Sequence, residues 1–286
     1  MQHATFPSSN CIVAVNGKTS GTGKGSVAAL RAGKKSSRGG GSRDGSRGGS
    51  RGGAVENAKF IIGTLALFLV IRTFVIEAFR IPSGSMIPTL LVGDWLFVNK
   101  LAYGPHIPGT AMNLPGYDDP ARGDVLVFKS PPQIDQPADP TPTLVKRCVA
   151  IAGDTIFMKN GVLHVNGVEQ RQGFAASQNM KGDGSMTYDL FSWQKKFQVH
   201  GSRFGEPAAV ATLDNWGPLI VPSEHVFMLG DNRYDSKDGR YWGFVPRKNV
   251  RGRPVFVYYS YRADESDRPL PFLTDIRWGR IGTRIK

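Results

Sequence analysis

The chain has 286 residues, 40% of them hydrophobic, with Gly 35, Pro 19 and two cysteines, Cys11 and Cys148. That supplies a packed core for one large or two small domains. It excludes a disulfide-stapled miniprotein and a cysteine-rich zinc module. The net charge of +13 needs a location before it means anything.

Much of the charge sits at the front. Residues 1–53 carry nine cations against the single acid Asp44. The excess therefore belongs to an arm and not to a basic face on a fold, which argues against a nucleic-acid-binding domain. The Gly/Ser/Arg run 39–53 has almost no apolar side chains and reads as disordered. RNA-binding and transit-peptide uses of the arm remain alternatives to a plain linker.

Next comes FIIGTLALFLVI (60–71), twelve uncharged residues. Extended to 54–76 it exceeds the ~20 residues that span a bilayer, at the cost of including Glu56, Lys59 and Arg72, and the expected transmembrane helix is 54–78. Such charges fit at the interfaces, where long side chains snorkel. A buried core helix is the competing reading. Cations ahead of the segment predict a cytoplasmic N-terminus and a single-pass protein of the cell (plasma) membrane, with everything beyond about residue 78 outside the cytoplasm. Cys11 and Cys148 would then occupy different compartments.

Beyond residue 79 the pattern is short apolar runs between turns: WLFVNKL (95–101), DVLVFK (124–129), LVKRCVAIA (144–152) and RPVFVYYSY (253–261). These are rich in β-branched and aromatic residues and predict strands. Asn160-Gly161 and Asn166-Gly167 bracket VLHV, a strand between two tight turns. The predicted fold class is mostly β: a single N-terminal transmembrane helix, then an extracytoplasmic β-rich domain over 79–169 and 223–262. Residues 170–222 are polar and irregular and are expected to form an insertion or smaller domain, with Trp193 and Trp216 filling a minor core. The tail 263–286 ends in DIRWGRIGTRIK. A frayed end is expected, with contact to anionic headgroups as the alternative.

Several strings fail as motifs. KTSGTGKGS (18–26) has Gly25 where a phosphate loop needs Ser or Thr, and no strand precedes it. Ser192–Lys195 fits S-x-x-K without its companion strings. The five histidines lack ligand spacing, so neither a metal nor another cofactor is expected. Cys148 is expected to pack as a small apolar residue.

What remains is concentrated just past the membrane segment. RIPSGSMIPTLL (80–91) sets two serines and a glycine between prolines, which suits a backbone that approaches a ligand closely and presents a hydroxyl. Three further strings follow: RGDVLVF (122–128), VKRCVAIAGD (145–154) and GDNRYDSKDGRYWGFVP (230–246). In order and spacing the four resemble the boxes of bacterial type I signal peptidases, membrane-anchored serine peptidases that remove signal peptides from exported proteins. The resemblance runs from about residue 70 to 259.

The resemblance implies a signal-peptidase-like catalytic domain with Ser85 as nucleophile and Lys146 as general base. It implies an oxyanion hole from the Ser83 hydroxyl and the Ser85 backbone N–H, and Ser236 as the residue orienting the lysine. Asp231, Arg233, Asp238 and Arg240 would brace the last loop. A lysine can act as a base only if neutral, so its pKa must fall well below about 10.4, chiefly by desolvation. Strand alternation sends Arg147 to the opposite face from Lys146. The substrate would add as an extended strand, its small residues entering shallow pockets at Phe79, Ile81, Pro82, Gly84, Met86, Leu90, Leu144 and Val145. The implied partners are signal peptides of exported preproteins, the lipid bilayer and a secretion translocon, and no nucleic acid.

The sequence departs from the family pattern at Tyr234 and Asp235, where many members have Asp-Asn, and at Gly239, in place of Ser or Ala. Other readings are a self-cleaving Ser–Lys regulator, a membrane-tethered peptide-binding protein of the same fold, or an organelle processing peptidase.

Overall fold

The computed structural model describes residues 50–110, 112–133, 136–171, 189–264 and 268–286. The expected disordered arm lies outside the described residues as far as residue 49, as do the 18–26 string and residues 172–188 of the expected insertion. Residues 71–286 form one compact unit, and the N-terminal helix belongs to another.

Helix α1 spans Ser50–Val70, and one π-helical turn, Ile71–Val75, follows it. Within them Glu56–Val75 is long and apolar enough to cross a membrane, and none of that window is buried. A buried core helix is thereby disfavoured. The expected span to residue 78 runs too far, because strand β1 begins at Ile76 (Ile76–Arg80). Ile76, Glu77 and Ala78 pair with Asn99, Val98 and Phe97 of β2 (Asp94–Asn99). The ladder satisfies backbone groups that a continued helix would have satisfied internally.

Five more strands complete the larger sheet: β3 (Val125–Lys129), β4 (Thr143–Ile151), β9 (His225–Leu229), β10 (Val245–Pro246) and β11 (Val250–Ser260). Its order is β1-β2-β11-β3-β4-β9-β10. A second sheet of order β7-β6-β5-β8 is built from β5 (Thr155–Lys159), β6 (Val162–Val165), β7 (Val168–Glu169) and β8 (Trp216–Ile220). The chain thus leaves the larger sheet after β4 and returns at β9. The expected break at residue 170 is too late. What turns the chain back on itself is the pair of Asn-Gly turns, whose four residues all have positive φ (50° and 75°, 53° and 83°), the conformation of a two-residue hairpin turn.

Two apolar clusters position the rest. One gathers Val149, Ile156, Leu163, Trp216, Leu219 and Phe227, with Trp193 against its edge. The other gathers Phe79, Ile81, Met86, Leu90, Leu96, Val145 and Val257. Cys148 is buried and unpaired with any cysteine, among Leu126, Leu144 and Met228.

The C-terminal segment is not frayed. Val257 N–H donates to Thr283 O and Ile285 N–H to Val255 O, so residues 282–285 lie along β11. Ile285 packs against the second cluster. The deeper reason is charge: Asp94 is fully buried and its carboxylate accepts from Ser260 Oγ at 2.7 Å and Arg280 Nη2 at 2.6 Å. A buried carboxylate without its cation is costly. Arg280→Ala is therefore expected to destabilise the folded chain by about 3 kcal/mol in denaturant unfolding, whereas a frayed tail would give no measurable loss.

Candidate active site

Ser85 stands at the centre of a 3-10 turn, Gly84–Met86, entered from Ser83 in extended conformation. The sequence fixes this turn from both sides. Upstream, Ile81 N–H donates to Asp94 O and Gly93 N–H to Ile81 O, joining the approach to the start of β2. Downstream, Met86 and Leu90 are buried at 1% and 0% exposure and anchor the turn in the apolar cluster. Ser85 is left with its hydroxyl facing Lys146.

Lys146 lies mid-way along β4, opposite Leu126 of β3, and is 4% exposed. Its Nζ donates to Ser85 Oγ at 2.6 Å. Burial among apolar neighbours lowers the lysine pKa to about 8, against the pull of Asp238, Asp231 and Asp235, which favour the ammonium. Ser83 Oγ is 3.5 Å from Ser85 Oγ, so the two hydroxyls share one edge of the turn.

The next side chain on β4 serves a different purpose. Arg147 grips Asp231 with two bonds of 2.7 Å, from Nε and Nη2. The same guanidinium donates to Thr89 Oγ1, Gly123 O and Lys286 O. Asp231 in turn accepts from Thr89 Oγ1. The loop after β9 is thereby fastened to β4 and to the chain just past the serine turn.

A second pair holds the far end of that loop. Asp238 and Arg240 are 0% and 1% exposed, with Nε to Oδ1 at 2.9 Å and Nη2 to Oδ2 at 3.0 Å. Burial opposes ionisation of Asp238, but the Arg240 charge and its hydrogen bonds outweigh that and hold the carboxyl below its ordinary range. Asp238 also accepts from Gly230 N–H. Arg233 donates to Gly230 O, and burial, reinforced by Arg240, pushes its pKa down to about 10. The loop is a cage of charges closed on itself.

Ser236 does not make the expected bond to the lysine. Among the described residues its buried hydroxyl has no hydrogen bond of normal geometry, although it helps to keep the Asp238 carboxylate ionised, while the Lys146 amine is directed at Ser85. The expected pocket residues divide: Phe79, Ile81, Met86, Leu90 and Val145 share one buried cluster. Leu144 belongs to another, with Leu126 and Cys148, because it lies one residue from Val145 on a strand. Pro82 and Gly84 are half-buried beside the serine.

Two residues escaped the sequence reading although they lie in its quoted strings. Asn232 holds the serine turn twice, backbone N–H to Ser85 O at 3.1 Å and Nδ2 to Gly84 O at 3.3 Å. Gly230 gives the turn its room: a Cβ there would stand 2.1 Å from Ser236 Oγ and 2.6 Å from Ser85 O. Tyr234, one of the departures from the family pattern, reaches Asp214 with its hydroxyl at 2.7 Å and so ties the loop to the chain leading into β8. Among the described residues no group of three or more His, Cys, Asp or Glu side chains could hold a metal.

A buried amine whose pKa has fallen to about 8 and which touches a serine hydroxyl can, in its neutral form, take that hydroxyl's proton. This is the geometry of a Ser–Lys hydrolase. Residues 54–259 match the family model described as signal peptidase, peptidase S26. A signal peptidase I of Pseudomonas aeruginosa is 34% identical over 223 residues, covering 72% of this chain and 73% of that protein. The signal peptidase I of Aquifex aeolicus is 31% identical over 256 residues, covering 76% and 90% respectively. The crystal structure of a signal peptidase I from Enterococcus faecalis is 27% identical, with a TM-score of 0.28, over 48% of this chain and 97% of that one. The chain belongs to the signal peptidase family, peptidase S26.

Gly230→Ala is expected to displace Ser85 or Ser236. It should lower kcat by at least ~10²-fold, since misplacement by about 1 Å costs that much. Unchanged turnover by a folded Gly230→Ala chain would show that this close approach is dispensable.

Proposed function

We propose that this chain is a membrane-anchored signal peptidase I that removes the signal peptides of exported preproteins by cutting after a small residue. The observation that carries the reading is the 2.6 Å contact between the Ser85 hydroxyl and the Lys146 amine, both nearly buried. Ser85 Oγ attacks the scissile carbonyl as neutral Lys146 takes its proton. The tetrahedral oxyanion is held by the Ser85 backbone N–H and the Ser83 hydroxyl. Lys146 then gives its proton to the leaving amine, and once neutral again it activates the water that frees the acyl group.

The remaining residues support this chemistry. Arg147 and Asp231 hold the two sides of the site in register. Asp238, Arg240 and Arg233 keep the following loop rigid. Ser236 offers a buried hydroxyl, beside the Asp238 carboxylate, to the lysine as it turns from serine to leaving group. Phe79, Ile81, Pro82, Gly84, Leu144 and Val145 shape the shallow apolar walls that admit small side chains, and the fully buried Met86 and Leu90 back them from the core.

Helix α1 and the turn after it anchor the chain in the inner (plasma) membrane. The basic arm stays in the cytoplasm and the β-rich part lies outside it, in reach of substrates leaving a secretion translocon. The excursion between β4 and β9, which carries the second sheet, is the smaller inserted domain.

Only the neutral lysine accepts a proton, so kcat/KM rises with pH through about 8 and falls toward acid. The deciding experiment is cleavage of a preprotein in detergent, with the cut located by mass spectrometry. Ser85→Ala and Lys146→Ala are expected to abolish cleavage after a small residue, and Ser83→Ala to lower kcat roughly 10²–10³-fold. Cleavage surviving in Ser85→Ala would assign the nucleophile elsewhere.

A further inference from the structure

The loop that follows β9 carries one acid, Asp235, that neither the reaction nor the loop's buried arginine pairs engage. Asp235 is exposed, and among the described residues its carboxylate makes no ion pair and no side-chain hydrogen bond. Its position is nevertheless fixed. Asp235 N–H donates to Asn232 O at 3.1 Å, and Asn232 is the residue that grips both Gly84 O and Ser85 O. The carboxylate therefore rides on the same turn that holds the serine.

It also lies against that serine turn. A Cβ placed on Gly84 would be 3.4 Å from Asp235 Oδ2, so the carboxylate faces the residue immediately before Ser85. Its charge reaches Lys146 as well. The neighbouring acids are already engaged: Asp231 with Arg147 and Asp238 with Arg240, both pairs buried. Among the described residues of this loop Asp235 is the acid with no ion pair, and its exposed carboxylate is open to whatever enters the site from the solvent side.

We propose that Asp235 is a specificity-determining residue, which selects peptides carrying a basic side chain at a position flanking the scissile bond. The inference rests on the peptidase reading given above. Proximity sets the interaction. An extended peptide whose carbonyl carbon meets Ser85 Oγ must pass Gly84, and side chains two residues to either side of the cut lie within about 7 Å of it. An ion pair formed there at the surface is modest, worth at most a few-fold in rate, and is screened by salt.

The test uses the full chain in detergent and synthetic peptides with Ala at the first and third positions before the cut. The second position before the cut and the two after it are set in turn to Lys, Gln or Glu. The expected result is a kcat/KM ratio of Lys to Glu of about three- to ten-fold at one or more positions, shrinking at high salt. Asp235→Asn is expected to bring that ratio to about one, and Asp235→Lys to invert it. Because the ratio is taken within each variant, a general loss of activity does not alter it.

Equal cleavage of Lys and Glu peptides by the wild type would overturn the proposal and leave the peptidase reading standing. A preference that persists in Asp235→Asn would overturn it too. Failure of the wild type to cut any of the peptides would overturn the peptidase reading itself, and this inference with it.

Discussion

Everything at this site depends on keeping one lysine out of water. An ammonium group is strongly hydrated, and Lys146 gives up that hydration for a place in the middle of a buried strand. The unfolded chain holds the lysine proton up to about pH 10.5, and the folded chain releases it at about 8. Between those values the unfolded state binds more protons, so stability rises with pH across the window. Below pH 8 the full penalty is present, roughly 3 kcal/mol. A reactive amine is therefore maintained against the folding equilibrium. The rest of the domain must supply the difference.

The charged groups around the site contribute position more than stability. Asp238, Asp231 and Asp235 favour the ammonium, and two of those acids are themselves committed to arginines. The Arg147–Asp231 and Arg240–Asp238 pairs are buried on both partners. Buried pairs of this kind add little net stability but lose a great deal when one partner is removed. Their effect here is geometric: each holds one end of the loop that carries Asn232 and Ser236. Arg280 does the same from the C-terminal segment, binding Asp94 and the Thr89 carbonyl. Three arginines thus fasten three separate pieces of chain around a single serine turn.

Much of this was legible in the sequence, for identifiable reasons. Alternating β-branched and aromatic residues announced β2, β3, β4 and β11, and the two Asn-Gly pairs announced the turns around β6. The four strings that resembled the signal peptidase boxes placed Ser85 and Lys146, 61 residues apart in the chain, in one site. Other features were not legible because they arise only on folding. Ile76–Arg80 reads as the end of an apolar helix until β2 is there to pair with it. The final residues read as a loose basic tail because the buried acid that holds Arg280 lies far back at Asp94. Asn232 has no distinguishing chemistry of its own. It matters because a backbone turn lies within reach of its amide. The strand 155–159 and the return strand 225–229 were missed because short apolar runs with a few polar residues carry little period.

The most direct measurement is the titration midpoint of Lys146, read by NMR from the side-chain carbon bonded to its amine in the full chain in detergent. The account predicts a midpoint of about 8. A midpoint above 10 would contradict it, because the amine would then remain charged in the working range and could not take the proton of Ser85.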